Sequence, residues 1–78
     1  MEKTIYTDRY KRLILQLKEA RTGKNLTQVQ AGKLIGVSRS WLQKVEGCQL
    51  RLDCCQLRTL CRAYGLTFIE ILKEFDGE

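Results

Sequence analysis

Apolar residues recur along the chain at helical spacing, and caps and glycines punctuate them. Tyr10, Leu13, Ile14 and Leu17 fall at i, i+3, i+4 and i+7, one side of an α-helix. Thr7 and Asp8 suit its start and Gly23 its stop. Thr27-Gln28-Val29-Gln30 reads as a T-x-x-Q capping box, in which hydroxyl and amide satisfy N–H groups that a first helical turn leaves unpaired. Gly36 supplies the positive-φ residue that ends this second helix. Ser38 caps a short third helix that turns Leu42 and Val45 inward and ends at Gly47. Asp53-Cys54-Cys55-Gln56 opens a fourth, with Leu57, Leu60, Cys61 and Tyr64 inward and Gly65 as its stop. Thr67-Phe68-Ile69-Glu70 caps a last helix over about 67–75, with Phe68, Ile71, Leu72 and Phe75 along one face and Ile69 about 100° away from Phe68. No stretch alternates with period two for long, and there is no repeat, low-complexity tract or linker. The expectation is all-α, a compact five-helix bundle forming one domain over residues 1–78.

The stretch from about 27 to 47 is the informative one. Two short helices meet at the tight turn Gly36-Val37-Ser38, with Gly32 small where they cross and Val37 as an apolar plug. That is a helix-turn-helix arrangement. Leu26-Thr27-Gln28, Gly32, Ile35-Gly36-Val37-Ser38 and Val45-Glu46 stand in step with a known pattern, and the chain resembles the Cro/repressor-type (XRE) helix-turn-helix family. The resemblance runs from about Leu13 to about Leu72. The segment Leu50-Arg51-Leu52-Asp53-Cys54-Cys55-Gln56-Leu57 is similar to an Arg-Arg-Leu-Asp-Val-Val-Glu-Leu segment of one branch. The implied architecture is the lambda-repressor-like DNA-binding domain. Five positions depart from the pattern. Ala31 stands where Leu is common, Leu34 where a charge is common, Cys48 in place of a loop glycine, and Cys54-Cys55 in place of Val-Val.

The resemblance implies roles for individual residues. The third helix would lie in the major groove and read bases through Arg39, Ser40, Gln43 and Lys44. Arg39 has the fork that matches O6 and N7 of guanine, and Lys44 offers a point-charge donor to the same edge. Thr27, Gln28, Ser38, Trp41, Gln49 and Arg51 would touch the DNA backbone. Gln28 would bond a phosphate at the start of the second helix, where the helix dipole also favours an anion. For Trp41 two readings stand: packing against the sugar-phosphate wall, or a partly buried core aromatic. Arg21 and Glu46 match a family ion pair that ties the first helix to the third, a structural role.

Composition narrows the alternatives. The 78 residues carry 14 Lys+Arg and 9 Asp+Glu, a net charge of +5, with 44% hydrophobic and 29% charged residues. This is a globular composition with room for one small core. The charge is unevenly spread: residues 70–78 hold one Lys against four Asp/Glu, −3, so the other 69 hold 13 basic against five acidic, +8. An acidic last helix should face away from phosphate. There is no His, no paired carboxylate in a defensible cleft and no phosphate loop, so no enzymatic activity is expected. The cysteines run C-x5-C-C-x5-C, no standard zinc spacing, and are read as small apolar residues, Cys54 and Cys55 in the core. No metal or cofactor is expected. No apolar run approaches the roughly 20 residues that span a bilayer, and the N-terminus lacks a signal-peptide core, so a cytoplasmic location and no membrane partner are expected.

The function expected from the resemblance is a sequence-specific DNA-binding transcriptional regulator, a repressor acting as a homodimer on a near-palindromic site in double-stranded DNA. Leu34, Trp41 and Ile69, as exposed apolar candidates, keep a second reading open: an antitoxin or protein-interaction adaptor of the same fold, whose partner is another protein such as a toxin. A third, a thiol sensor or metal site, would use Cys48, Cys54, Cys55 and Cys61.

Overall fold

A computed structural model describes residues 8–76, with side chains through Lys73. The helices are α1 (Asp8–Gly23), α2 (Gln28–Ile35), α3 (Arg39–Glu46), α4 (Cys54–Tyr64) and α5 (Phe68–Asp76), and there is no strand among the described residues. Thr7 and the side chain of Phe75, both assigned roles above, lie outside them. The starts of α2, α3 and α4 follow the local chemistry. Thr27 Oγ1 accepts the Gln30 N–H while Gln30 Oε1 accepts the Thr27 N–H, and Asp53 and Gln56 repeat this reciprocal cap on α4. Ser38 Oγ accepts the Trp41 N–H at the start of α3.

Each helix turns its apolar stripe to a shared core. Tyr10, Leu13, Ile14 and Leu17 of α1 meet Ala31 of α2, Leu42 and Val45 of α3, Leu57, Leu60, Cys61 and Tyr64 of α4, and Ile71 of α5. Burying each large aliphatic side chain contributes about 1.5–3 kcal/mol relative to exposure. α1 packs on α3, α4 and α5, and α4 also packs on α2 and α5, so these two helices form the platform for the α2–α3 pair. The acidic α5 packs mainly on α1 and α4.

The α2–α3 turn is built on Gly32. Its carbonyl accepts the N–H groups of both Gly36 and Val37 at 2.8 Å, folding the chain back over the helix. A Cβ at Gly32 would lie 2.6 Å from the Val37 carbonyl oxygen, so no side chain fits there. Gly36 takes φ 81°, the left-handed conformation that ends α2.

Several positions differ from the sequence expectation. The left-handed residue after α1 is Asn25 (φ 59°) rather than a glycine, and that after α3 is Cys48 (φ 60°), with Gly47 at φ −89°. Asn tolerates this region through local hydrogen bonding, whereas for Cys it costs roughly 1–2 kcal/mol. Cys54 and Cys55 are exposed, not core residues: they occupy the first turn of α4, whose inward face begins at Leu57. Cys61 is buried and Cys48 half-buried. Leu72 is also no core residue, at 38% exposure, because α5 lies at the edge of the bundle and, among its described side chains, only Ile71 is buried. Ile69 is 63% exposed and Leu34, at the end of α2, 61%.

Candidate nucleic-acid interface

Three pieces of chain lie together around α3: the first turn of α2, the outer face of α3, and the loop over residues 47–53. Arg39, Ser40, Gln43 and Lys44 fall at i, i+1, i+4 and i+5, and all four are exposed, while Leu42 and Val45 on the opposite face are buried. The apolar face anchors α3, and the polar face is left with four hydrogen-bonding side chains, two of them cationic.

Trp41 differs from those four. It is half-buried against the core, and its ring borders a small pocket with Ile35, Val37, Gln56, Thr59 and Leu60. The indole therefore packs between the α2–α3 turn and α4, which matches the second of its two readings.

The α2 end is held by a buried polar cluster. Arg21 Nε donates to Glu46 Oε2 at 2.7 Å and Arg21 Nη2 to Glu46 Oε1 at 3.0 Å, a two-pronged pair joining α1 to the end of α3. Arg21 Nη1 also donates to the Leu26 carbonyl at 2.6 Å, just before the α2 cap. Gln28, half-buried, donates from Nε2 to Glu46 Oε1 at 3.0 Å. Thr27 and Ser38 are exposed, and their oxygens serve as caps, which leaves each hydroxyl hydrogen free to donate. Tyr64 lies close enough to Glu46 and Arg21 to sense both charges. Burial first, and then Glu46, pushes its hydroxyl up to about 12, while Arg21 opposes them. That hydroxyl is buried with no hydrogen-bond partner among the described residues.

The loop after α3 winds back on the helix, with the N–H groups of Gln49 and Leu50 both directed at the Lys44 carbonyl. Gln49 and Arg51 are exposed on it. The helical stripe places Tyr10 in the core and gives no sign of its second task. Its hydroxyl accepts the Leu52 N–H and donates to the Leu50 carbonyl, so α1 holds the loop that carries Gln49 and Arg51. Burial raises the Tyr10 pKa, partly offset by the Leu52 hydrogen bond. No local signal marks such a role, because the partner is a backbone group about 40 residues away. Gln28's bond to Glu46 was likewise not foreseen.

Among the described residues, no group of three or more His, Cys, Asp or Glu is placed to hold a metal ion, and no helix is long and apolar enough to cross a membrane. A family model described as a helix-turn-helix domain matches residues 12–71. No curated protein and no solved structure matches the chain. The matched span runs from α1 into α5 and contains the capped α2, the glycine turn and the polar-faced α3. With these elements in order, the chain belongs to the helix-turn-helix domain family.

Proposed function

We propose that the chain, as one domain over residues 1–78, is a sequence-specific DNA-binding transcriptional regulator that represses by occupying promoter DNA. The observation that carries this reading is the exposed quartet Arg39, Ser40, Gln43 and Lys44, set opposite the buried Leu42 and Val45. A helix anchored in this way can enter a major groove with its polar face toward the base edges. Thr27, Gln28, Ser38, Gln49 and Arg51, with the exposed edge of Trp41, border that face and are the proposed phosphate contacts. The +8 charge outside the acidic last residues supports attraction to the duplex. No step of this function needs catalysis or a cofactor, and its setting is the nucleoid in the cytoplasm. Two copies on a near-palindromic operator would sit about 34–36 Å apart. Selection of bound duplexes from a random pool tests the reading. A palindromic consensus is the expected result, and no enrichment at moderate salt would overturn it.

A second reading has its own observation, the exposure of Leu34 and Ile69. It makes the chain an antitoxin or adaptor that binds another protein, with DNA binding secondary. A tight protein partner together with an unenriched DNA pool would favour it.

A further inference from the structure

The Arg21–Glu46 pair looks like a fastening between α1 and α3, but the same carboxylate also takes a third donor. Glu46 Oε1 accepts from both Arg21 Nη2 and Gln28 Nε2, each at 3.0 Å. Arg21 and Glu46 are 8% and 6% exposed, so this network is shielded from water, while Gln28 is half-buried at its rim. Gln28 is the first residue of α2, where the unpaired N–H groups and the dipole of the helix favour an anion. A free glutamine amide can present either its oxygen or its NH₂ to a neighbour. A carboxylate only accepts, so Glu46 selects the NH₂ and excludes the flipped amide. One N–H is then used inward, and the second N–H of the same nitrogen is held in a set direction.

We infer that Glu46 is a positioning residue for DNA binding: through Gln28 it presets a single amide N–H for one backbone phosphate at the start of α2. The inference rests on the DNA-binding reading and identifies a proposed contact whose donor is oriented before DNA arrives. Arg21 is the outer support, holding Glu46 by two bonds and the approach to α2 through Leu26. Because Gln28 is neutral, its contact should add affinity without changing the number of counterions released.

The test uses the full chain and a duplex selected from the random pool, with single phosphates replaced in turn by neutral methylphosphonates. The wild type should lose about two- to tenfold affinity at one phosphate per half-site, the scale of one pre-ordered side-chain contact. Gln28→Ala and Glu46→Gln should each weaken the unmodified duplex by a similar factor. Both should lose sensitivity at that same phosphate and keep it at the others, and the double variant should bind no worse than Gln28→Ala. The salt slope should not move. If Glu46→Gln does not fold, as judged by its thermal melt, Glu46→Asp retains the charge opposite Arg21 while drawing back from Gln28, and should show the same selective loss. Uniform weakening by the Glu46 variant with the methylphosphonate effect intact would reduce Glu46 to a fastening and overturn the inference. So would a further loss when it is added to Gln28→Ala. A pool without enrichment overturns the DNA reading itself and this inference with it; an enriched pool with no Gln28-dependent phosphate overturns this inference alone.

Discussion

The phenolic oxygen of Tyr10 accepts the Leu52 N–H at 3.2 Å and donates to the Leu50 carbonyl at 3.4 Å. A side chain on the first helix thus serves a loop 40 residues downstream, with its ring in the core and its hydroxyl on the backbone between α3 and α4. The loop gains a fixed path without a strand or helix of its own.

Tyr10→Phe should keep the buried ring and remove this clamp. The expected loss of stability is about 1 kcal/mol, read from urea unfolding. The more specific readout is hydrogen exchange, in which the Leu52 amide should lose protection while the amides of α4 keep theirs. Unchanged protection at Leu52 would show that the loop holds itself.

Gly32→Val should destabilise the domain more than any glycine substitution at an open position such as Gly23. A Cβ at Gly32 meets the Val37 carbonyl oxygen at 2.6 Å, whereas one at Gly23 meets nothing within 4 Å. Overpacking costs of about 1–3 kcal/mol or more are typical, and here the obstacle is backbone. Thermal denaturation of the two variants side by side checks the ranking.

Cys48 holds a left-handed conformation that a glycine adopts freely. Cys48→Gly should therefore be neutral to stabilising by up to about 1 kcal/mol, since release of strain outweighs the added chain entropy only modestly. Cys48→Val, branched at Cβ, should be destabilising by roughly 1–2 kcal/mol. The order Gly, Cys, Val in denaturant midpoint is the test, and a reversed order would show that packing of the half-buried side chain dominates.

Alkaline pH should weaken the fold through Tyr10 and Tyr64, the buried tyrosines among the described residues. Tyr64 is pushed up to about 12 and Tyr10 is raised, both by burial first. Above the ordinary tyrosine value near 10 the unfolded chain releases these protons before the folded one does. The tyrosines' share of stability is therefore fully present below about pH 10 and falls as pH rises from there toward 12, by roughly 1–3 kcal/mol for Tyr64. Tyr64→Phe should remove most of this decline. It should cost little at neutral pH, because the Tyr64 hydroxyl has no partner to lose among the described residues. Denaturation midpoints between pH 8 and 11 would measure both effects.

On DNA, Arg39→Ala and Arg51→Ala should fail in different ways. Loss of Arg39 should relax the preference at one base position and cost about 1–3 kcal/mol on the selected site. Loss of Arg51 should weaken all duplexes alike and lower the salt slope by about one unit. Titrations at several salt concentrations separate the two, and an unchanged affinity for Arg39→Ala would remove α3 from the groove.

Most of the fold is legible in the sequence because its signals are local. A capping box joins residues three apart, and a helical stripe repeats within one or two turns. Asp53 with Gln56, Thr27 with Gln30, and the run Leu57, Leu60, Cys61, Tyr64 therefore announce their elements without knowledge of the rest. Spacing was a weaker guide where an element only partly faces its neighbours. Leu72 shares a face with Ile71 by sequence, but α5 sits at the edge and covers only part of that face. Cys54 and Cys55 stand where the family pattern has a Val-Val pair, but their place in the first turn of α4 leaves both in solvent.

The sequence by itself determined the five helices, the caps that open α2, α3 and α4, the Gly32–Gly36 turn, and a third helix with apolar and polar faces. These follow from backbone hydrogen-bonding needs and helical periodicity, which act over a few residues. Only the tertiary structure decided that Trp41 packs toward α4, that Cys48 carries the left-handed turn, that Tyr10 holds Leu50 and Leu52, and that Glu46 takes Gln28 as well as Arg21. Each depends on groups brought together by the packing of distant segments, where geometry and desolvation, rather than spacing along the chain, select the partner.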